Sequence, residues 1–168
     1  MSKLRIVLVL QLLFFVIWGG YLLTSRNSDS PEFYLETTPV DPRDLLSGTY
    51  VALSYEVSAP KAGDCPSYTK FGPVFVKLED KGRKANTAAG PVPVYEAVNC
   101  AKTPPREPGW AAGNLQYGFR GMIVRYGIEK FFLNENNPLK DARSGSVIAK
   151  VKIDSSRQLV LLDLVKKI

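Results

Sequence analysis

An eight-residue segment, DPRDLLSG, gathers side chains that can perform acid–base or nucleophilic chemistry. Its Ser47 could be a nucleophile if a lysine of lowered pKa lay beside it as the base. Its Asp41 or Asp44 could instead pair with Glu129 or Glu135, since glycoside hydrolysis needs two carboxyl groups about 5–9.5 Å apart. The segment therefore raises two catalytic hypotheses, a serine–lysine hydrolase and a carboxylate-pair enzyme.

The same residues have a simpler structural explanation. Asp41 followed by proline is typical of a helix N-cap, and Asp44 would lie near the positive end of that helical turn. Gly48 can adopt the left-handed conformation that ends such a turn. Arg43, Arg120 and Arg125 can neutralise the carboxylates in structural ion pairs. We therefore interpret the segment as a capped turn that starts the strand after it.

The composition removes several reaction classes. The chain contains no histidine, so a Ser-His-Asp or Cys-His arrangement would have no base, and a zinc site would lack its commonest nitrogen ligand. We predict no metal site and no cofactor. The two cysteines, Cys65 and Cys100, suggest a disulfide if the domain is exported, with two free thiols as the open alternative.

An apolar segment near the N-terminus predicts a membrane anchor. Residues 6–23 carry no charge, and their 18-residue length approaches the ~20 residues that span a bilayer as a helix. Lys3 and Arg5 precede the segment and outweigh Arg26 behind it, so we expect the start to stay in the cytoplasm. A cleavable signal peptide usually has an apolar core of only ~7–15 residues. An uncleaved signal anchor is thus favoured, although a glycine pair inside the segment leaves cleavage open.

The expected organisation follows from this anchor. It comprises a cytoplasmic N-terminus (1–5), a transmembrane signal anchor (6–23), a linker (24–33) and an exported β-domain (34–168). The net charge is +6, and the basic residues are scattered rather than arranged in a stripe. Nucleic acid is therefore not an expected partner, whereas membrane lipid is, through the anchor and through mild attraction to an anionic surface.

Alternating side chains predict a mainly antiparallel β-domain, a barrel or sandwich with about six to eight strands and one or two short helical turns. The clearest strand puts Val51, Leu53, Tyr55 and Val57 on one face. A second strand, PVFVKLED, is expected to turn at Asp80–Gly82. A third, PVPVYEAVN, is confined by its prolines to a sheet edge or a strand start.

Further along the chain, residues 101–114 are rich in proline and glycine and predict a long loop, with Trp110 anchored in the core. The glycines within 115–133 indicate bulges or bends of a curled sheet. Asn137 and Pro138 could begin a short helix. Two last strands, SVIAKVKID and QLVLLDLV, are expected to join at Asp154–Arg157.

Two segments together, DPRDLLSGTYVALSYEV and VRYGIEKFFLNE, resemble the GDYXXLXY protein family of membrane-anchored bacterial proteins. The resemblance covers most of the chain in the same order. It departs at Thr49, where the family name has aspartate, which lowers the expectation of catalysis there. We expect an interaction or structural site at the matching positions, which are Gly48, Tyr50, Leu53, Tyr55, Arg125, Tyr126, Gly127, Glu129 and Glu135, to which the residues themselves add Asp41, Arg43, Asp44 and Thr49.

The resemblance implies no reaction, and it implies a partner in the membrane, a multi-span inner-membrane protein. We therefore expect a single-pass protein of the bacterial inner membrane with its C-terminal domain on the periplasmic side. Its expected role is a non-enzymatic interaction or accessory component of a membrane protein assembly. The alternative is a membrane-tethered hydrolase that uses Ser/Lys or paired carboxylates.

Overall fold

The computed structural model describes residues 2–26, 30–39, 50–68, 70–88, 90–118, 121–132 and 144–168. Within these ranges there is one α-helix, α1 (Ser2–Arg26), and the chain then forms β-strands separated by turns. The strands are β1 (Glu32–Thr38), β2 (Tyr50–Ala52), β3 (Ser54–Tyr55), β4 (Gly72–Thr87), β5 (Gly90–Ala101), β6 (Trp110–Gly118), β7 (Gly121–Arg125), β8 (Lys130–Phe132), β9 (Val147–Ile153) and β10 (Leu159–Lys166). Two short 3-10 turns, Glu56–Ser58 and Cys65–Ser67, complete the described elements.

These bounds confirm the mainly β class. The ten described strands exceed the predicted number because β2, β3 and β8 are only two or three residues long. β1 has no counterpart among the predicted strands, although its buried Phe33, Leu35 and Thr37 alternate with more exposed residues.

Helix α1 is long and apolar enough to cross a membrane. Its segment Lys3–Leu23 has a mean hydropathy of 2.4, and none of that segment is buried against the rest of the described chain. At about 1.5 Å per residue, such a helix matches the ~30 Å hydrocarbon core of a bilayer. A signal sequence near the N-terminus can also meet these criteria of length and composition, so α1 is a candidate anchor.

The larger sheet has eight strands and is curled. Its order is β10-β9-β1-β5-β4-β6-β7, with β3 paired to β1. Neighbours are antiparallel except β1 and β5, which are parallel and share the single register pair Tyr34–Val94. The end of β10 returns to the end of β4, where Ile168 N donates to Asn86 O at 3.1 Å. The sheet is therefore a half-barrel rather than a flat layer.

The predicted turn at Asp80–Gly82 is wrong, because the chain forms a bulge there and β4 continues. Gly82 N donates to Asp80 Oδ1 at 2.7 Å, and Gly82 has a φ of +84°. The register moves from Asp80–Tyr95 to Lys84–Pro93 across the bulge. The local turn chemistry was identified correctly, but pairing with β5 resumes beyond it, and the reversal follows Thr87.

The prolines of β5 mark a strand start, the second of the two positions that the sequence predicted for them. Pro91 and Pro93 pair with β4 at the beginning of the strand, and β1 joins the other side only at Val94. The N–H groups that proline lacks are thus not needed for pairing with β1.

The loop predicted for residues 101–114 is shorter, since β5 includes Ala101 and β6 begins at Trp110. Gly118 and Gly121 face each other across the β6–β7 hairpin rather than forming bulges. The helix expected at Asn137 lies outside the described residues.

The core lies inside the curled sheet. Val51, Leu53, Tyr55 and Val57 are each at most 4% exposed, which confirms the predicted buried face. The single strand predicted there is wrong, because it is divided at Leu53 into β2 and β3 and Val57 lies in a 3-10 turn. Trp110 is 8% exposed. Cys65 and Cys100 form a disulfide with a Cα–Cα distance of 4.8 Å, well inside the ~7 Å limit, and it ties the second 3-10 turn to β5.

Candidate functional site

The two segments that resemble the family meet in the structure. β2 pairs with β8, with Tyr50 opposite Phe132 and Ala52 opposite Lys130. Directly after β2, Leu53 N donates to Glu129 O at 2.8 Å. We call this contact, formed by residues 53–57 and 126–129, the motif junction.

Two buried tyrosines form hydrogen bonds across the motif junction. Tyr55 donates its hydroxyl hydrogen to Ile128 O at 2.6 Å, and Tyr126 donates to Val57 O at 2.9 Å. Burial, and secondarily the negative charge of Glu129, raises the pKa of both phenols far above the ordinary value. The two hydroxyl groups therefore stay protonated and act as hydrogen-bond donors, not as nucleophiles or bases.

Glu129 fixes the bend that follows β7. Its carboxylate accepts hydrogen bonds from Tyr126 N at 2.6 Å and from Gly127 N at 3.0 Å. Gly127 has a φ of +83°, a conformation that glycine adopts without a steric penalty. The carboxylate is thus used within its own turn, as a capping group would be.

The remaining predicted site residues are not brought together by the described structure. Asp41, Arg43, Asp44, Gly48, Thr49 and Glu135 lie outside the described residues, as does Ser47, and of Tyr50 only the backbone is described. Arg125 is exposed and lines a shallow groove of about 420 Å³ together with Asn114 and Gly127. The hydrolase hypotheses therefore gain no geometric support from the described ranges.

A half-exposed ion network lies close to the motif junction. Arg83 Nη1 donates to Glu56 Oε1 at 3.1 Å, Arg83 Nη2 is 3.2 Å from Glu36, and Arg83 Nε is 3.1 Å from Glu96. Lys167 also pairs with Glu36. The hydrogen bond from Arg83 lowers the pKa of Glu56, and the same bond raises the pKa of Arg83. Each of the three carboxylates has a cationic partner in the network, which favours a structural role.

A second concave region, which we call the linker cleft, lies where the chain enters β1. It has a volume of about 320 Å³. Its lining residues are Ser30, Pro31, Phe33, Leu78, Tyr95, Arg106, Glu107, Pro108, Gly109, Trp110, Ile153, Asp154, Ser155 and Arg157. Sequence reasoning missed it, because its parts come from five separate segments.

Aromatic rings form much of the linker cleft. Phe33 and Tyr95 stack with their centroids 4.6 Å apart. Lys77 lies beneath the loop before β6, with Nζ 5.8 Å from the Trp110 ring and 2.8 Å from Pro108 O. The indole Nε1 of Trp110 is buried and has no hydrogen-bond partner in the described structure. A buried donor without an acceptor is uncommon in native proteins.

The charges of the linker cleft are only partly paired. Glu107 lies 3.6 Å from Lys77, and Asp154 Oδ1 accepts the backbone N–H groups of Ser156 and Gln158, each at 2.8 Å. Among the described residues, neither Arg106 nor Arg157 forms an ion pair. Arg157 Nη1 donates to the backbone oxygen of Glu107 at 3.4 Å, and the other N–H groups of the two guanidinium groups can still reach an anionic ligand.

The geometry offers little to a metal ion. Within the described ranges, no three side chains of histidine, cysteine, aspartate or glutamate are grouped as ligands.

Of the three comparisons with known proteins, one found a match. The search of curated proteins and the search of solved structures each returned no match. One family model, described as GDYXXLXY protein, matches residues 10–164, a range that includes most of α1, the motif junction and the linker cleft. The chain therefore belongs to the GDYXXLXY protein family.

Proposed function

We propose that this protein is a single-pass membrane-anchored accessory protein whose β-domain binds a neighbouring multi-span membrane protein on the exported side of the bacterial inner membrane. The observation that carries the proposal is the apolar helix, Lys3–Leu23, followed by a disulfide-containing β-domain. Four peptide steps separate Arg26 from Ser30, which is about 14 Å of fully extended chain. The domain is thus held close to whatever surrounds the anchor.

Charge and redox chemistry support the exported side. Lys3 and Arg5 precede the apolar segment, and positive residues favour the cytoplasmic flank of a membrane helix. Disulfides persist in oxidising compartments such as the periplasm and are rare in the cytosol. Both features agree with a cytoplasmic start and an exported domain.

The motif junction supports binding over catalysis. Tyr55, Tyr126 and Glu129 have their polar groups in hydrogen bonds to the backbone. Their pairing explains them as structural groups that hold two segments together. The exposed surface of the β-domain outside the motif junction is then the part that contacts a partner.

The topology is tested with an alkaline phosphatase fused to the C-terminus of the full chain in bacteria, since this reporter is active only after export. We expect high activity and a product that resists carbonate extraction. The double variant Lys3→Glu with Arg5→Glu should lose most of the reporter activity, and Lys61→Glu with Lys70→Glu, at two exposed positions of the β-domain, is the matched control. A soluble, inactive fusion would refute the anchored topology.

The partner is sought by photo-crosslinking in intact cells. Phe71 and Tyr117 are 70% and 75% exposed, so a photoreactive amino acid at either position can reach a bound protein. The buried Leu53 is the matched control, because a group there should crosslink only within the chain. Adducts with a multi-span membrane protein at the exposed positions support the proposal. No adduct at either position, together with hydrolytic activity lost in Ser47→Ala or Asp44→Asn, would replace it with the hydrolase alternative.

A further inference from the structure

We propose that the linker cleft binds the headgroup of an anionic phospholipid from the membrane that holds α1. This inference rests on the proposed membrane anchoring and adds a specific lipid contact of the β-domain. It differs from the lipid contact of α1 itself, because it places a defined polar ligand in a defined cleft of the folded domain.

The position of the cleft favours a lipid ligand. Ser30 and Pro31 are lining residues, and Ser30 lies only four peptide steps beyond the last residue of α1. The cleft therefore lies within about 14 Å of the helix end, whatever path the connection takes. The headgroup layer is about 5–8 Å thick on each side of the hydrocarbon core, so Ser30 can lie within it or just outside it, where lipid headgroups are the most concentrated anions.

The charges of the cleft select an anion. Its two carboxylates are already engaged, Glu107 with Lys77 and Asp154 with its own turn. Arg106 and Arg157 have no ion-pair partner among the described residues. Each guanidinium group can give a phosphate two parallel hydrogen bonds, while the two carboxylates of the lining are held by Lys77 and by the turn of Asp154.

The remaining groups suit a headgroup that carries both polar and apolar surface. Trp110 is a lining residue that is 8% exposed, and its buried indole N–H has no hydrogen-bond partner in the described structure. Tryptophan and tyrosine are enriched at membrane interfaces, where one end of the ring is apolar and the other is hydrated. A volume of about 320 Å³ is at the small end of ligand sites and matches a headgroup rather than a whole lipid.

The test uses the full chain in a mild detergent. The chain has two tryptophans, Trp18 in α1 and Trp110 in the cleft, so Trp18→Phe leaves Trp110 as the single fluorescent reporter. The probes are dihexanoyl phosphatidylglycerol, dihexanoyl phosphatidylcholine and inorganic phosphate, each added below its micellar concentration. We expect a saturable change in Trp110 emission with phosphatidylglycerol and a much weaker response to the other two.

Variants identify the groups that bind. Arg106→Gln and Arg157→Gln should each weaken phosphatidylglycerol binding about tenfold, because each removes a charge-assisted hydrogen bond. The matched control, Lys61→Gln with Lys70→Gln, removes two exposed positive charges outside the cleft lining and should leave the affinity unchanged.

Several outcomes would overturn the inference. Equal responses to phosphatidylglycerol and phosphatidylcholine would remove the selectivity for an anionic lipid. Equal affinity for inorganic phosphate would identify a phosphate site instead, and unchanged binding in both arginine variants would place the lipid elsewhere. A photoreactive group at Ser155 that crosslinks a protein and no lipid in cells would assign the cleft to a peptide partner. Because the titration needs no membrane, its failure is distinguishable from a failure of the topology test.

Discussion

The motif junction and the linker cleft differ in how completely their polar groups are paired. In the junction, the hydroxyls of Tyr55 and Tyr126 each donate to a buried carbonyl oxygen. In the cleft, the indole N–H of Trp110 has no acceptor among the described residues, and Arg106 and Arg157 have no ion-pair partner there. Polar groups that are satisfied within the chain stabilise the fold, whereas unsatisfied ones are free for a ligand. Pairing therefore separates a structural region from a candidate binding region more reliably than residue type does.

The largest effect should come from removing the disulfide that joins the second 3-10 turn to β5. Cys65 and Cys100 are 35 residues apart, and the chain-entropy model assigns such a link about 4 kcal/mol of stability. Cys65→Ala with Cys100→Ala in the Trp18→Phe background should lower the free energy of unfolding by about that amount. Denaturant unfolding followed by Trp110 fluorescence measures it. If the denaturant midpoint is the same in the double variant, or in the parent protein after reduction, then packing alone holds the second 3-10 turn against β5.

Alkaline pH should destabilise the junction without a mutation. The pKa of Tyr55 and that of Tyr126 are raised in the folded state, so both hold their protons after an unfolded tyrosine, with a pKa near 10, would lose its own. Stability is then fully present below pH ~10 and falls as the pH rises, by about 1.4 kcal/mol per tyrosine at pH 11.

The control for this slope is the double variant Tyr55→Phe with Tyr126→Phe. It is less stable at pH 8, but its free energy of unfolding should fall less steeply between pH 8 and pH 11 than that of the parent. Lysines titrate in both proteins, so the difference between the two slopes isolates the tyrosines. Parallel slopes would mean that the phenols ionise in the folded state.

Removing one hydroxyl at neutral pH gives the next effect. Tyr126→Phe leaves Val57 O without its donor in a buried position, which should cost about 1–3 kcal/mol. Tyr55→Phe should cost a similar amount through Ile128 O. Tyr117→Phe, at an exposed position, should change stability by less than about 0.5 kcal/mol. Equal losses of stability at all three positions would show that the buried hydroxyl groups of Tyr55 and Tyr126 contribute no more than the exposed hydroxyl group of Tyr117.

The sequence predicted more of the motif junction than of the linker cleft, for physical reasons. The alternation of Val51, Leu53, Tyr55 and Val57 is a local pattern, and it located the buried face of the junction correctly. Pairing of β2 with β8 joins residues about eighty positions apart, which no local pattern encodes. The bulge at Gly82 shows the same limit, because turn chemistry identifies a bend but not whether the neighbouring strand continues through it.

The linker cleft was invisible for a related reason. Arg106 and Arg157 come from two different loops, and each alone resembles an ordinary surface arginine. Arg157 is the only described non-glycine residue with a positive φ, at +66°, and its carbonyl accepts Ala112 N at 2.7 Å. That contact brings the β9–β10 turn against β6 and so forms one wall of the cleft. The sequence predicted the turn at Asp154–Arg157 but not the strand it packs against.

The smallest predicted effects compare arginines in the two environments. Arg83→Gln removes the cation that three carboxylates share and should lower stability by about 1 kcal/mol, since the group is partly exposed. Arg106→Gln and Arg157→Gln should each change it by less than about 0.5 kcal/mol, because neither forms an ion pair in the described structure.

Stability measured at acid pH tests the same comparison between Arg83 and the arginines of the cleft. Arg83 lowers the pKa of Glu56, so this contribution to stability is present above pH ~4.3, the ordinary value, and is lost as the pH falls through the lowered pKa. The difference in unfolding free energy between the parent and Arg83→Gln should therefore shrink below pH 4, whereas Arg106→Gln should track the parent at every pH. A cleft variant that destabilises the fold as much as Arg83→Gln would show that the arginine has a structural partner. In that case an anionic ligand would have to displace an existing contact, and the free guanidinium groups would no longer argue for a binding region.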